Sequence, residues 1–162
     1  TARDFFRILL FTGARRSNVA SMQWRDINME AGVWTVVADE SKNKEPMPIV
    51  LPEQAIEILK RRRGESKWVF PSAASGSGHF AWPKTSWKQV LKKSGLTDLR
   101  LHDLRRTLAS WQLKLGTPLT VIGESLGHRS LSSTRVYARS QFDQVQKSVS
   151  DAVNAMLEKK PE

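Results

Sequence analysis

The chain has 162 residues, of which 40% are hydrophobic and 26% charged, and it contains no cysteine. That length fits one domain with a substantial apolar core, and the composition excludes disulfides and thiolate metal sites. Twenty-six Lys+Arg stand against sixteen Asp+Glu, a formal net charge of +10, which points to a polyanionic partner such as nucleic acid. The excess is concentrated in residues 51–100, where ten basic residues face four acidic ones, around Arg61-Arg62-Arg63 and Lys84, Lys88, Lys92 and Lys93.

In chain order, Asp4 precedes the apolar set Phe5, Ile8, Leu9 and Phe11, which predicts a helix ending at Thr12-Gly13. A second short helix is expected over about 17–23, burying Val19 and Met22. Val33–Val37 and Met47–Leu51 have the composition of β-strands, and the polar run 39–45 between them suits a hairpin tip. Pro46 and Pro48 push the second strand towards a sheet edge. Pro52 opens a helix carrying Ala55, Ile56 and Leu59 that ends in Arg61–Arg63 and Gly64. Trp68-Val69-Phe70 is expected to add a third strand. Residues 71–81 form a Gly/Ser-rich loop, and no Gly-Lys-Ser/Thr follows to make it a phosphate cradle.

Further helices are expected around Trp87, Val90 and Leu91, and around Leu104, Leu108, Trp111 and Leu115. Thr117-Pro118 makes an N-cap and first-turn pair for another, closed by Gly127, and one more should run from about Leu131 through Tyr137. Val145, Val149, Val153 and Met156/Leu157 mark an amphipathic final helix. The fold class expected is α+β: mostly α-helical, with a small three-stranded antiparallel sheet drawn from about 33–51 and 67–70. No segment has the length of a membrane span or the layout of a secretory signal, so a cytoplasmic, DNA-associated location is expected.

Tyr137 is the only tyrosine. A lone tyrosine on a helix commonly packs half-buried; it can also serve as a nucleophile, because a phenolate oxygen can attack phosphorus and leave a covalent phosphotyrosine. Such an intermediate retains the energy of the broken phosphodiester, so strands are rejoined without a cofactor or a metal. A phenol titrates near pH 10, so the attack needs nearby cations and a proton acceptor.

His102 and Arg105, three apart at a helix start, project from one helix face. The imidazole can take the phenol proton, and the guanidinium fork can clamp phosphate oxygens; taken alone, His-x-x-Arg is more often a surface cluster at a helix start. Arg15 follows Thr12-Gly13-Ala14 at a helix start, where a cation is unfavourable to the helix dipole and a phosphate ligand is welcome. Its neighbour Arg16 can take the same role or be solvated, and the spacing favours Arg15. Lys42, with Lys44 as competitor, sits on the hairpin tip, where an ammonium can reach a bound strand and protonate a leaving oxygen. His128 follows Leu126-Gly127 and either bonds a helix end or donates to the phosphate. Asp26, Asp39, Asp98 and Asp103 show no metal-ligand spacing, which leaves a metal-dependent nuclease poorly served.

Taken as an ordered set, Thr12-Gly13-Ala14-Arg15-Arg16-Ser17, Lys42, His102-Asp103-Leu104-Arg105, Leu126-Gly127-His128 and Tyr137-Ala138 resemble the catalytic domain of the tyrosine recombinases, the phage-integrase family. The resemblance implies that fold, with 1–140 as the catalytic core, 141–162 as a C-terminal helix able to pack onto a neighbouring subunit, and the family's N-terminal DNA-binding domain outside this chain. It implies phosphate binding by Arg15, Arg105 and His128, acid/base chemistry by His102, leaving-group protonation by Lys42 and nucleophilic attack by Tyr137. It further implies double-stranded DNA as substrate, a 3′-phosphotyrosyl intermediate and a homotetramer on DNA. The sequence departs from the family at Asn18, where an acidic residue is common. A type IB topoisomerase shares the chemistry, and a non-catalytic DNA-binding module would use the arginines only to grip backbone.

Overall fold

Helix α1 (Ala2–Thr12) comes first in the chain, with Phe5, Phe6, Ile8, Leu9 and Thr12 all buried. Their spacing lines one face of a 3.6-residue repeat, as the sequence predicts. The face meets an aromatic cluster: Phe5 packs edge-on against Phe70 and Phe80 at 5.3 and 5.0 Å, and Phe6 against Trp87 at 5.2 Å. Such edge contacts add to the area term that dominates the core. The computed structural model describes residues 1–37, 46–81, 83–127, 149–150 and 153. The expected hairpin tip, the helix through Tyr137 and most of the C-terminal stripe lie outside these residues.

Helix α2 (Arg16–Ala20) is shorter than the 17–23 expected. It ends because the chain is drawn into pairing with a distant segment. Gln23 bridges Trp68, the Trp24 N–H donates to the Lys67 carbonyl at 3.1 Å, and the Val69 N–H to the Met22 carbonyl at 2.9 Å. Met22 is still buried, but not by a helix. The same pairing corrects the third strand. Residues 67–70 make one isolated bridge rather than a strand, and Val69 and Phe70 are both buried, where a half-buried strand would alternate.

The three-stranded antiparallel sheet is instead β1 (Ile27–Asn28), β2 (Val33–Val36) and β3 (Met47–Val50), in that order. In its register Trp34 faces Ile27 and Ile49, and Trp34 and Ile49 turn into the core while the next pair, Val33 and Val50, turns away. Pro48 lies on β3, which occupies a sheet edge as its missing N–H requires. The β1–β2 turn is closed by Asn28, whose side-chain oxygen accepts the Ala31 N–H at 2.9 Å.

Helix α3 (Glu53–Arg62) buries Ala55, Ile58 and Leu59. Its last residue, Arg62, ties it to α1: Nη1 donates to Asp4 at 3.2 Å, Nε to the Val69 carbonyl, and the guanidinium lies over Phe70. Helix α4 (Lys84–Ser94) buries Trp87, whose indole N–H donates to the Leu99 carbonyl. Helix α5 (Asp103–Lys114) presents Arg105, Ala109 and Leu113 to the interior. The expected stripe Leu104, Leu108, Trp111 and Leu115 is therefore rotated from the buried face, and Trp111 and Leu115 are 56% and 80% exposed. Helix α6 (Leu119–Ser125) packs on α5 through a second, smaller cluster of Ala109, Leu113, Ile122 and Leu126. Thr117 makes no side-chain cap to α6. Among the described residues no helix is long and apolar enough to cross a membrane.

Candidate active site

Three chain segments meet where α1 ends, α5 begins and α6 ends. The first is the turn after α1. Gly13 there adopts φ +61°, and a Cβ on it would lie 2.7 Å from Leu126 Cδ2 and 3.0 Å from Leu108 Cδ2. The positive φ is what favours glycine, and any side chain would also have to displace the ends of these two leucines. The Thr12 hydroxyl donates to the Ile8 carbonyl at 2.6 Å and accepts the Ala14 N–H at 3.2 Å, which fixes the direction in which the chain leaves the helix. Arg15 follows in extended conformation at the mouth of α2, and Arg16 is the first helical residue. Asn18 is half-buried within α2.

The second segment supplies Arg105. Its side chain is almost fully buried, 5% exposed. Nη1 donates to the Gly13 carbonyl and Nη2 to the Leu126 carbonyl, each at 2.5 Å. The guanidinium thus bonds the turn after α1 and the end of α6 at once, in a position that places a fixed positive charge at the junction. Its planar fork suits this better than a lysine ammonium would.

His102 stands just before α5, and the N–H of Arg105 donates to its carbonyl. Partial desolvation holds its imidazole below the ordinary histidine value of 6.5, with Arg105 and then Arg106 adding to the effect and Asp103 opposing it. A lowered value keeps the ring neutral, and so able to accept a proton, over more of the neutral range. Asp103 is itself held below the usual carboxylate range by its bonds to Arg100.

A cavity of about 290 Å³ opens at this junction, lined by Leu9, Ala14, Arg16, Arg100, Leu101, His102 and Arg105. Its lining combines three apolar residues with three arginines and one histidine, the residue types that bind an anion such as a phosphate. Of the site residues expected from the sequence, His102 and Arg105 line this cavity. Arg15 lies at its edge in the chain but is not among the lining residues, whereas its neighbour Arg16 is. Arg100 was not expected; its signal in the sequence is the i,i+3 spacing to Asp103, which an ion pair at a helix start uses. Lys42, His128 and Tyr137 lie outside the described residues. The chain on either side of two of them is described, however. Met47, at the foot of the hairpin, lies against Gly127, immediately before His128: a Cβ on Gly127 would overlap the Met47 side chain. Among the described residues no group of three or more His, Asp or Glu side chains could hold a metal ion.

Comparison with solved structures gives the class of fold. The catalytic domain of bacteriophage HP1 integrase is similar over 91% of this chain and 79% of its own, with a TM-score of 0.66 at 22% identity. A Tn1549 transposon integrase, in complex with circular intermediate DNA, is similar over 92% of this chain and 59% of its own, with a TM-score of 0.74 at 17% identity. The fold is that of a tyrosine-recombinase catalytic domain. The family model described as the phage integrase family matches residues 1–144, and the chain belongs to that family. Among curated relatives, the integrase of Salmonella phage P22 is 33% identical over 141 residues, 80% of this chain and 36% of that protein. Tyrosine recombinase XerA of Pyrococcus furiosus is 33% identical over 144 residues, 85% of this chain and 50% of that protein. The chain thus spans about a third to a half of the length of these relatives.

Proposed function

We propose that this chain is the part of a site-specific recombinase that cuts and rejoins DNA, with Tyr137 as nucleophile. In this reading the Tyr137 hydroxyl oxygen attacks the scissile phosphorus, His102 accepts the phenol proton, and the bond to the 5′ oxygen breaks as Lys42 protonates it. The product is a 3′-phosphotyrosyl linkage and a free 5′ hydroxyl. Attack by the 5′ hydroxyl of another strand on the same phosphorus returns the phenol and completes the exchange, with no net change in the number of phosphodiester bonds. Arg105, Arg15 and His128 hold the non-bridging oxygens, where charge accumulates in the transition state. Arg16 is available beside them on the cavity rim.

The observation that carries this reading is the buried Arg105 guanidinium on the wall of a cavity that His102 shares. The Met47–Gly127 contact supports it, because the hairpin that carries Lys42 and the segment that carries His128 start from adjoining points of the fold. Double-stranded DNA is the substrate proposed, in keeping with the net charge of +10. A homotetramer on DNA is the working assembly proposed. Val149 and Val153, both on the apolar stripe of the tail, are 57% and 41% exposed, which supports a tail that packs onto a neighbouring subunit over one that packs onto its own core.

The decisive experiment is incubation with a nicked suicide duplex that traps the covalent product. A slow-migrating protein–DNA band for the native chain, absent for Tyr137→Phe, is the expected result. A band of equal strength in both would end the assignment of Tyr137, and DNA binding with no band in either would leave only a binding module.

A further inference from the structure

The Asp103 carboxylate gathers bonds from two arginines at the edge of the cavity. Its Oδ2 accepts the Arg100 backbone N–H at 2.8 Å and Arg100 Nε at 3.3 Å, while its Oδ1 accepts Arg100 Nη2 at 3.3 Å and Arg106 Nη1 at 3.4 Å. In the other direction, the Asp103 N–H donates to the Arg100 carbonyl at 2.9 Å. Residues 100–103 are therefore a turn closed twice, once by backbone and once by this side chain, in the manner of a capping box. His102 lies inside that turn and has no side-chain capping bond of its own. Arg100 is also a lining residue, and its side chain is 68% exposed, so its bonds to Asp103 decide where its charge rests. The described groups that act on the imidazole are Arg100, Arg105 and Arg106 on one side of the balance and Asp103 on the other, with Arg16 of α2 on the same cavity.

We propose that Asp103 is a positioning residue for strand cleavage: it locks the Arg100–Asp103 turn so that His102 is held at the cavity mouth, and it keeps the Arg100 guanidinium to one side of the space that a phosphate takes. The inference rests on the reading of His102 as the proton acceptor. A carboxylate that merely capped α5 would add stability and leave the chemical step alone.

The test compares the native chain with Asp103→Ala, Asp103→Asn and His102→Ala in single-turnover cleavage of a nicked suicide duplex, with DNA binding and thermal melting measured on the same samples. Asp103→Ala is expected to cleave roughly tenfold or more slowly at saturating DNA, the scale on which supporting residues act, with little loss of affinity. Asp103→Asn, whose amide oxygen still accepts the Arg100 N–H, is expected to recover most of the rate. Ring-proton NMR of His102 in the DNA-free chain supplies a readout independent of cleavage. Loss of the carboxylate charge in Asp103→Asn should move the imidazole midpoint down, because the group that raised its proton affinity is gone. A folded Asp103→Ala chain that cleaves at the native rate overturns the proposal, as does an Asp103→Asn chain no faster than Asp103→Ala. An unmoved His102 midpoint overturns it even if Asp103→Ala does not fold. Native cleavage by His102→Ala would instead remove the underlying role of His102, a distinct result.

Discussion

Two hydrogens of the Arg105 guanidinium go to main-chain carbonyls of segments far apart in the chain that meet at one junction, Gly13 after α1 and Leu126 after α6. Replacing this side chain with alanine would leave both carbonyls without that donor in a buried setting, a cost of roughly 1–3 kcal/mol for each unsatisfied group. Arg105→Ala is therefore expected to abolish cleavage, to keep weak DNA binding, and to lower the melting temperature by several degrees; calorimetry alongside the suicide-substrate assay reads all three. At His102, the causes of the lowered proton affinity set the sign of a pH dependence. Burial, Arg105 and Arg106 all favour the neutral ring, so cleavage limited by this base should rise with pH to a plateau, with a midpoint below 6.5. Replacing Arg106 by glutamine removes one repelling cation and should move that midpoint upward. A pH–rate profile that shifts the other way would contradict this account of the imidazole.

At the scale of elements, α5 shows how a helix can be placed correctly and turned wrongly. The apolar spacing of Leu104, Leu108, Trp111 and Leu115 marks a helix, and α5 is there, but the buried face is Arg105, Ala109 and Leu113. Packing against α1 and α6 selects that face because Ala109, at 0% exposure, permits close approach and Arg105 finds two carbonyls. Ala109→Leu should consequently destabilise the chain by roughly 1–3 kcal/mol through overpacking. Trp111→Ala, despite removing the larger side chain, should change stability by no more than about 0.5 kcal/mol, as at other exposed positions. Urea denaturation of the two variants checks the ranking.

The same contrast explains what was legible in the sequence. Phe5, Ile8, Leu9 and the Gly13 stop identify α1 because the pattern and the cap agree locally. The Gln23–Trp68 bridge could not be read, since it joins segments far apart in the chain and replaces both the end of α2 and a third strand. For the site, His102 and Arg105 were readable from their helical spacing. Arg16 is only the alternative to Arg15 in the sequence and Arg100 carries no site expectation there, because only the folded turns show which side chains line the cavity.

Over the whole molecule, charge is distributed so that one helix lacks internal compensation. Helix α4 carries Lys84, Lys88 and Lys92 at successive four-residue steps, with no acidic residue in its span and a lysine at its positive end. Like charges at that spacing and a cation at a helix N-terminus both oppose helix formation. All three lysines are exposed, and a polyanion laid along them would remove the repulsion. If the three lysines neutralise DNA phosphates, replacing them by glutamine should reduce the slope of log affinity against log salt by about 0.9 for each phosphate no longer neutralised. A slope that stays at the native value would exclude α4 from the DNA-binding face. The aromatic core of Phe5, Phe6, Phe70 and Trp87, by contrast, holds α1 in place mainly by apolar burial.

The bracing of Arg105 by carbonyls bears on how an inactive form for co-crystallisation should be made. If Arg105 holds the phosphate as proposed, replacing it to stop cleavage also unfastens the ends of α1 and α6, so a complex trapped with such a variant would report a loosened scaffold as well as lost cleavage. Removing one phenolic oxygen from Tyr137 spares both fastenings, and a DNA complex of that variant would preserve the native setting of the arginine.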